Sequence, residues 1–522
     1  MWYEDEALIN ISIQHDDAMD NKNVNEMEAL IEKSLKNAND VELHPMIRAH
    51  HFYNCATTIR ERDYLLDLGA KDREESIEKT LFLFRESMTL QEDYFSKEIE
   101  EGSIDKVYWE GLYNSTIVNY SNLLSNVGRI PSAIHEIRKV AVTGFSMAVG
   151  NLGGYLKHYL QLDYDTGHKN FFLYEMLLLL KFATENKDSS LYPQALEMFQ
   201  KELDDGLKLF DGVTIQSQDF NDILLFRDYE KMDWHDICID SEKRYQNWKI
   251  SNSLTLNTLN DYDISNIRYN DVLHLPSMIR PIAEKQPIFS GLFNQIKQEF
   301  CSARYFIFDG IYNKKTHFSD REVYLVNLHD YPVYGINIEK IKAGYRAIYS
   351  LFDRIAYFLN EYYELGIPRR FVNFKNIWNA STKKEKINKE SNDINKLLDA
   401  NYLLKSLYWI KKDLYNETKS GYTGNINTKL NKANKIRNTM EHKYLKIVDD
   451  TFISSERVDD ELADLIIERS EFEDLSIELL KIVREAIIIL TQVIYLEESR
   501  EGGSHVLPIS IRTSEYDDDW KI

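Results

Sequence analysis

Near the C-terminus the chain reads Lys435-Ile436-Arg437-Asn438-Thr439-Met440-Glu441-His442-Lys443-Tyr444. An Arg and a His standing close together can cleave RNA without a metal. The His moves the proton of the 2′-OH or of the leaving group, and the Arg balances charge on the phosphate. Spacing alone selects nothing. Among 23 Arg and 13 His, four pairs have four to six residues between them: Arg129/His135, Arg268/His274, Arg437/His442 and Arg500/His505. Context favours Arg437/His442. Leu430, Ala433, Ile436, Met440, Ile447 and Val448 recur near helical spacing, which predicts an amphipathic helix over about residues 429–448. On it Asn438 and His442, four apart, share a face. Arg437 lies about 140° round the helix from His442, within partial reach of its long side chain. The other pairs fit worse. Arg500/His505 spans Gly502-Gly503, a loop signal, Arg268/His274 precedes Pro276, and Arg129/His135 straddles Pro131 at a helix start.

Charge sets this stretch apart. The chain carries −22, yet residues 366–446 hold 18 Lys/Arg against 7 Asp/Glu, or +11, which leaves about −33 elsewhere. An acidic protein repels RNA unless a local basic patch overcomes that field. Lys432, Lys435, Lys443, Arg369 and Arg370 are the candidate RNA-binding cations, with Lys383, Lys384, Lys386, Lys411 and Lys412 in the same basic stretch. Two readings stand: a solvated face of an Asn/Lys-rich chain, or an electrostatic landing strip beside the Arg437 helix.

The elements that must position these residues read as helices. At 522 residues the chain exceeds one ordinary core, and only 9 Pro and 20 Gly punctuate it. The expected fold is all-α. A tetratricopeptide-like helical repeat array occupies residues 1–210, a connector 211–290, a four-helix bundle 291–498 and a tail 499–522. Ile117, Tyr120, Ser121, Leu124, Gly128, Ala133, Ile137 and Val140 fall where such a repeat places packing and turn residues. Asn119-Tyr120-Ser121 returns as Asn151-Leu152-Gly153. Gly128 supplies a tight turn and Pro131 starts the next helix. The bundle helices are expected at about 291–312, 337–365, 392–417 with 427–448, and 460–498. A loop around Gly424 feeds the Arg437 helix.

Arg-Asn-x3-His followed by x-Tyr, on the third long helix of a C-terminal helical domain, resembles the HEPN superfamily (higher eukaryotes and prokaryotes nucleotide-binding). Tyr331-Pro332-Val333-Tyr334, the helix from Arg346 to Asn360, Leu254-Thr255-Leu256-Asn257-Thr258-Leu259-Asn260-Asp261 and Asp271-Val272-Leu273-His274-Leu275-Pro276 are similar to the HEPN subfamily with N-terminal tetratricopeptide repeats. The resemblance covers about residues 245–496, and residues 105–160 in part. It implies a metal-independent endoribonuclease acting as a homodimer, with Arg437, Asn438 and His442 of both subunits lining one cleft. His442 would be the acid or base, Arg437 would hold the scissile phosphate and Asn438 would orient it. Products would end in 2′,3′-cyclic phosphate and 5′-OH. A polar residue of the preceding long helix often supports such a site, which makes Asp353 the candidate, or else an ordinary helix-border ion pair. Tyr444 completes Arg-x4-His-x-Tyr. In related toxins that Tyr is modified to silence the nuclease, so Tyr444 is either a regulatory residue or a core-packing one. The family further implies a toxin or antiphage effector whose repeats receive a partner or antitoxin. The alternative from another class is a non-catalytic scaffold or nucleotide-binding sensor.

Cys55, Cys238 and Cys301 are far apart and form no metal or redox pair, so no cofactor is expected. Asp233, His235 and Asp236 read as an ordinary acidic/His triplet rather than a metal site. The acidic start has no signal-peptide pattern and no apolar run approaches eighteen residues, which predicts a cytoplasmic protein without a membrane partner.

Overall fold

The computed structural model describes residues 1–66, 68–99, 102–186, 191–209, 223, 225, 240–263, 268–279, 288–326, 331–379, 394–415, 430–450, 463–501 and 516–521. Asp233, His235, Asp236, Cys238, Lys383, Lys384, Lys386, Gly424 and His505 lie outside the described residues.

The N-terminal region is a succession of helices: α1 (Glu6–Asp20), α2 (Val24–Ala38), α3 (Pro45–Leu65), α4 (Ala70–Glu98), α5 (Ile104–Asn126), α6 (Ile130–Ala141), α7 (Ser146–Leu162), α8 (Thr166–Glu185) and α9 (Pro193–Leu209). Their starts are written locally. Asp5, Asn23, Ser103 and Asp165 accept backbone N–H groups of α1, α2, α5 and α8. Pro45 and Pro131 occupy first turns, where a missing N–H costs nothing. Each helix packs chiefly on its sequence neighbours, as in a helical repeat array. The predicted packing residues Ile117, Tyr120, Ser121, Leu124, Ala133, Ile137 and Val140 are all buried. Gly128 turns the chain at φ 79°, and any Cβ there would overlap Ser406 of the C-terminal bundle.

Beyond α10 (Asp240–Ser251), the bundle comprises α11 (Ile288–Tyr312), α12 (Ile336–Tyr362), α13 (Ile394–Ala400), α14 (Tyr402–Leu414), α15 (Asn431–His442) and α16 (Arg469–Glu501). α11 and α12 pack on each other and on α16, while α14 packs on α16 and α15 bridges α12 and α14. The α12 stripe Ile348, Leu351, Phe352, Ile355, Phe358 and Leu359 is fully buried, the outcome expected of its 3.6-residue period, while Tyr362, expected to complete the stripe, is only half-buried.

Three expected helices are corrected. The Arg437 helix ends at His442 rather than at 448, because Lys443 turns extended at φ −145°. Leu445–Val448 then forms β1, parallel to β2 (Leu465–Glu468). On the other side of β1, the Val333 N–H donates to the Ile447 carbonyl at 2.8 Å, and Pro332 bridges Val448. Leu445 and Ile447 enter the core at the two-residue period of a strand, whereas the helical expectation rests on Ile447 and Val448, seven and eight residues past Met440. The final helix accordingly starts at Arg469 rather than 460. The 392–417 helix is interrupted at Asn401, whose side chain accepts the N–H groups of Leu403 and Leu404 and so caps α14.

A buried polar junction joins the N-terminal helices to the bundle. Arg85 of α4 forms two hydrogen bonds to Asp413 of α14, at 2.7 and 3.2 Å. Asp413 also pairs with Arg129, which donates to Glu485 of α16 at 2.6 Å. The Ser132 hydroxyl donates to the same carboxylate at 2.8 Å. Burial pushes the Asp413 carboxyl up, but Arg85 and Arg129 outweigh it and hold its pKa below the usual range. Next to this network Leu254-Thr255-Leu256-Asn257-Thr258-Leu259-Asn260-Asp261 forms a buried plug. Arg484 of α16 donates to the Thr255 and Asn257 carbonyls and pairs with Asp261, Arg138 of α6 donates to the Asp261 carbonyl at 2.9 Å, and Arg304 of α11 donates to the Leu254 carbonyl at 2.7 Å. These contacts satisfy buried carbonyls of a segment whose regular structure is limited to a short 3-10 turn at Thr258–Asp261.

Candidate functional site

α15 carries Arg437, Asn438 and His442 along its outer side, while Ala433 and Ile436 are buried against the bundle. Arg437 is half-buried. Its guanidinium donates to Asn438 Oδ1 at 3.0 Å and lies 5.8 Å from the Tyr349 ring centroid, within cation–π range. A chain of polar side chains holds that arrangement. Asn438 Nδ2 donates to Asn434 Oδ1 at 3.2 Å, the Tyr349 hydroxyl donates to the same oxygen at 3.1 Å, and Tyr415 hydrogen-bonds to Tyr349. Burial pushes the Tyr349 phenol up to about 12, so it stays a neutral hydrogen-bonding group at physiological pH.

His442 is the last residue of α15, exposed, one turn beyond Asn438, and makes no hydrogen bond among the described residues. It does not touch Arg437. Five residues of helix separate the two by about 7.5 Å along the axis. Arg346 of α12 braces this end of α15, donating to the Met440 carbonyl at 3.0 Å and pairing with Glu441 at 3.0 Å.

Asp353 lies one turn below Tyr349 on α12. It accepts the Phe374 N–H at 2.9 Å. Burial raises its pKa, and the Phe374 N–H and the nearby Arg437 and Arg354 charges oppose that rise. Asp353 therefore faces the Arg437 side of α12 and pins the segment after α12, while Arg354 makes the border ion pair, to Glu299 at 3.5 Å. Tyr444 is 40% exposed and does not pack in the core. Lys443 pairs with Asp464 at 2.6 Å and Lys432 pairs with Glu471, so both are partly neutralised; Lys435 is exposed on α15. Arg369 pairs with Glu361 at 3.1 Å and lies over the Tyr357 ring, and Arg370 lies 4.6 Å over Phe371.

The competing Arg/His pairs are accounted for otherwise. Arg129 is locked in the buried junction, and His135 is held neutral by burial, its pKa near 4. Arg268 pairs with Asp263 at 2.9 Å, and Arg500 donates to the Ala400 carbonyl at 2.8 Å. Neither Tyr349, Asn434, Tyr415 nor Lys375 is singled out by the sequence reading. Tyr349 and Asp353 share a face of α12 at i, i+4, as do Asn434, Asn438 and His442 on α15, and that double stripe could have pointed to Tyr349 and Asn434; Tyr415 and Lys375 lie off both helices.

Residues 281–497 match the family model described as LA2681-like HEPN. The C-terminal part of this chain is a HEPN domain of that kind. The match takes in α11 to most of α16, and with them the whole of the Arg437 cluster. HEPN domains typically act as ribonucleases or on nucleotides. The comparisons with curated proteins and with solved structures give no match. Among the described residues, no helix of the HEPN domain or of the repeat region is long and apolar enough to cross a membrane.

Proposed function

We propose that this protein is an endoribonuclease that cuts RNA through its HEPN domain, with Arg437, Asn438 and His442 as catalytic residues and Asp353 as a positioning residue. The observation that carries this reading is a guanidinium held in place yet half-open, with an unpartnered imidazole one turn beyond its Asn438 support. In the reaction the 2′-oxygen attacks phosphorus and the P–O5′ bond breaks. One imidazole takes the 2′ proton and another gives a proton to the departing 5′-oxygen, leaving a 2′,3′-cyclic phosphate and a 5′-OH. Arg437 stabilises the charge that builds on the phosphorane oxygens. No step calls on a metal.

Acid and base are two groups, and one chain supplies one His442. A homodimer with both α15 helices facing one cleft would supply the second imidazole. Tyr444, exposed two residues past His442, is accessible as a point of control by modification. The repeat helices are the platform through which a partner or antitoxin would act in a toxin or antiphage role.

The test incubates wild type and His442→Ala with total cellular RNA in EDTA and labels the product ends. Cyclic-phosphate fragments from wild type alone are expected. Absence of cleavage by wild type, together with stabilisation by ATP, would favour a nucleotide-binding sensor instead.

A further inference from the structure

The segment after α12 runs back along it, and its surface is built differently on its two sides. Inward, Phe374, Ile377 and Trp378 are buried, with the Phe374 ring 5.1 Å from Phe352 and 5.6 Å from Trp378. The Arg369 side chain pairs with Glu361 near the start of the strap, and the Phe374 N–H donates to Asp353 near its end. Outward stand Arg369, Arg370, Phe371 and Lys375, all exposed, with Phe371 56% exposed beneath Arg370. Residues 365–379 contain no carboxylate, in a chain of net charge −22.

The strap leads to the Arg437 cluster. Tyr349, Asp353, Tyr357 and Glu361 follow one another at four-residue steps on α12. Arg437 lies over Tyr349 at one end of this row and Arg369 over Tyr357 at the other. Twelve residues of helix separate Tyr349 from Glu361, about 18 Å. Lys375 stands between, 5.8 Å from the Tyr415 ring that hydrogen-bonds Tyr349. Cations along a rigid helix, with a flat aromatic and guanidinium pair at the far end, suit a single strand with unstacked bases. Phosphates take the charges, and a base takes the π-face. A duplex keeps its bases stacked inside and cannot use Phe371.

We propose that the 369–375 strap is a second RNA contact, with Phe371 and Arg370 as a base-stacking platform and Arg369 and Lys375 as phosphate contacts. The substrate is thereby single-stranded for several nucleotides on one side of the cut. This inference rests on the ribonuclease reading and deepens it.

The test uses the full-length chain carrying His442→Ala to prevent cleavage, and measures binding of a fluorescent single-stranded octanucleotide RNA, a dinucleotide and a duplex. Adding Arg370→Ala and Phe371→Ala together is expected to weaken octanucleotide binding about tenfold, in the range of one lost base stack, and to leave the dinucleotide unchanged. Phe371→Trp, which keeps a stacking face, is expected to retain octanucleotide binding. Equal octanucleotide affinity with and without the double substitution overturns the strap while leaving the nuclease reading intact. Duplex binding as tight as single-strand binding, lost on the same double substitution, also overturns it. Failure of every RNA to bind, with no cleavage by the wild type, overturns both.

Discussion

Two arginine clusters in this molecule invite comparison. Both lie in Arg/His pairs that the sequence cannot tell apart by spacing. Arg129 is buried and saturated, its guanidinium shared among Asp413, Glu485 and Ser132. Arg437 is half-exposed, and Asn438 is its one hydrogen-bond acceptor among the described residues. The first arginine uses its hydrogen bonds to hold the N-terminal helices to the HEPN domain. The second is held in orientation by an aromatic face and a neutral amide, and keeps donors for something else. The two arginines differ in the number of donors left open after folding.

The largest effect should come from breaking the saturated cluster. Asp413→Ala leaves Arg85 and Arg129 buried without their shared carboxylate, and is expected to cost about 3–5 kcal/mol in denaturant unfolding. A loss below about 1 kcal/mol would show that water reaches this junction and that the comparison is drawn too sharply. Next is the response to acid in the repeat region. Burial holds His15, His50 and His51 neutral with pKa values near 4, against an ordinary value of 6.5. Between those values the unfolded chain binds more protons than the folded one. Stability is therefore complete above pH 6.5 and falls as pH drops towards 4. Hydrogen exchange should show α1–α3 opening in that window, ahead of the bundle core, and uniform protection down to pH 4 would contradict the assignment. A smaller effect is expected from Asp353→Ala, which removes the acceptor for the Phe374 N–H. Stability should fall by about 1 kcal/mol, and cleavage should drop severalfold as the strap loosens. Asp353→Asn, which keeps an acceptor oxygen, should restore most of both.

Much of the fold was legible because helices announce themselves locally. The α12 stripe, the Pro131 helix start and the Gly128 turn all lie within a few residues of what they determine. The errors fell where short runs carry two periods. Ile447 and Val448 fit a helix continuing from Met440 while Leu445 and Ile447 fit a strand, and only the partners in β2 and at Val333 decide between them. Asn401, read as one more residue of a helix, starts a new one because its side chain competes for backbone N–H groups. At the candidate site, Arg437, Asn438 and His442 are picked out by helical context and by the family resemblance, since spacing alone leaves four Arg/His pairs. Tyr415 and Lys375 could not be, because their meeting with Tyr349 depends on tertiary packing. The junction was still less accessible, since Arg129 and Glu485 are 356 residues apart.

The most direct test of the account is a paired measurement on Arg437→Ala: thermal unfolding and RNA cleavage on the same preparation. The open arginine of the comparison should be dispensable for folding, with stability within about 0.5 kcal/mol of wild type, and cleavage should fall at least a hundredfold, the scale of a lost donor to a developing oxyanion. A destabilised variant that still cuts RNA at the wild-type rate would contradict it, and would make Arg437 a structural residue like Arg129.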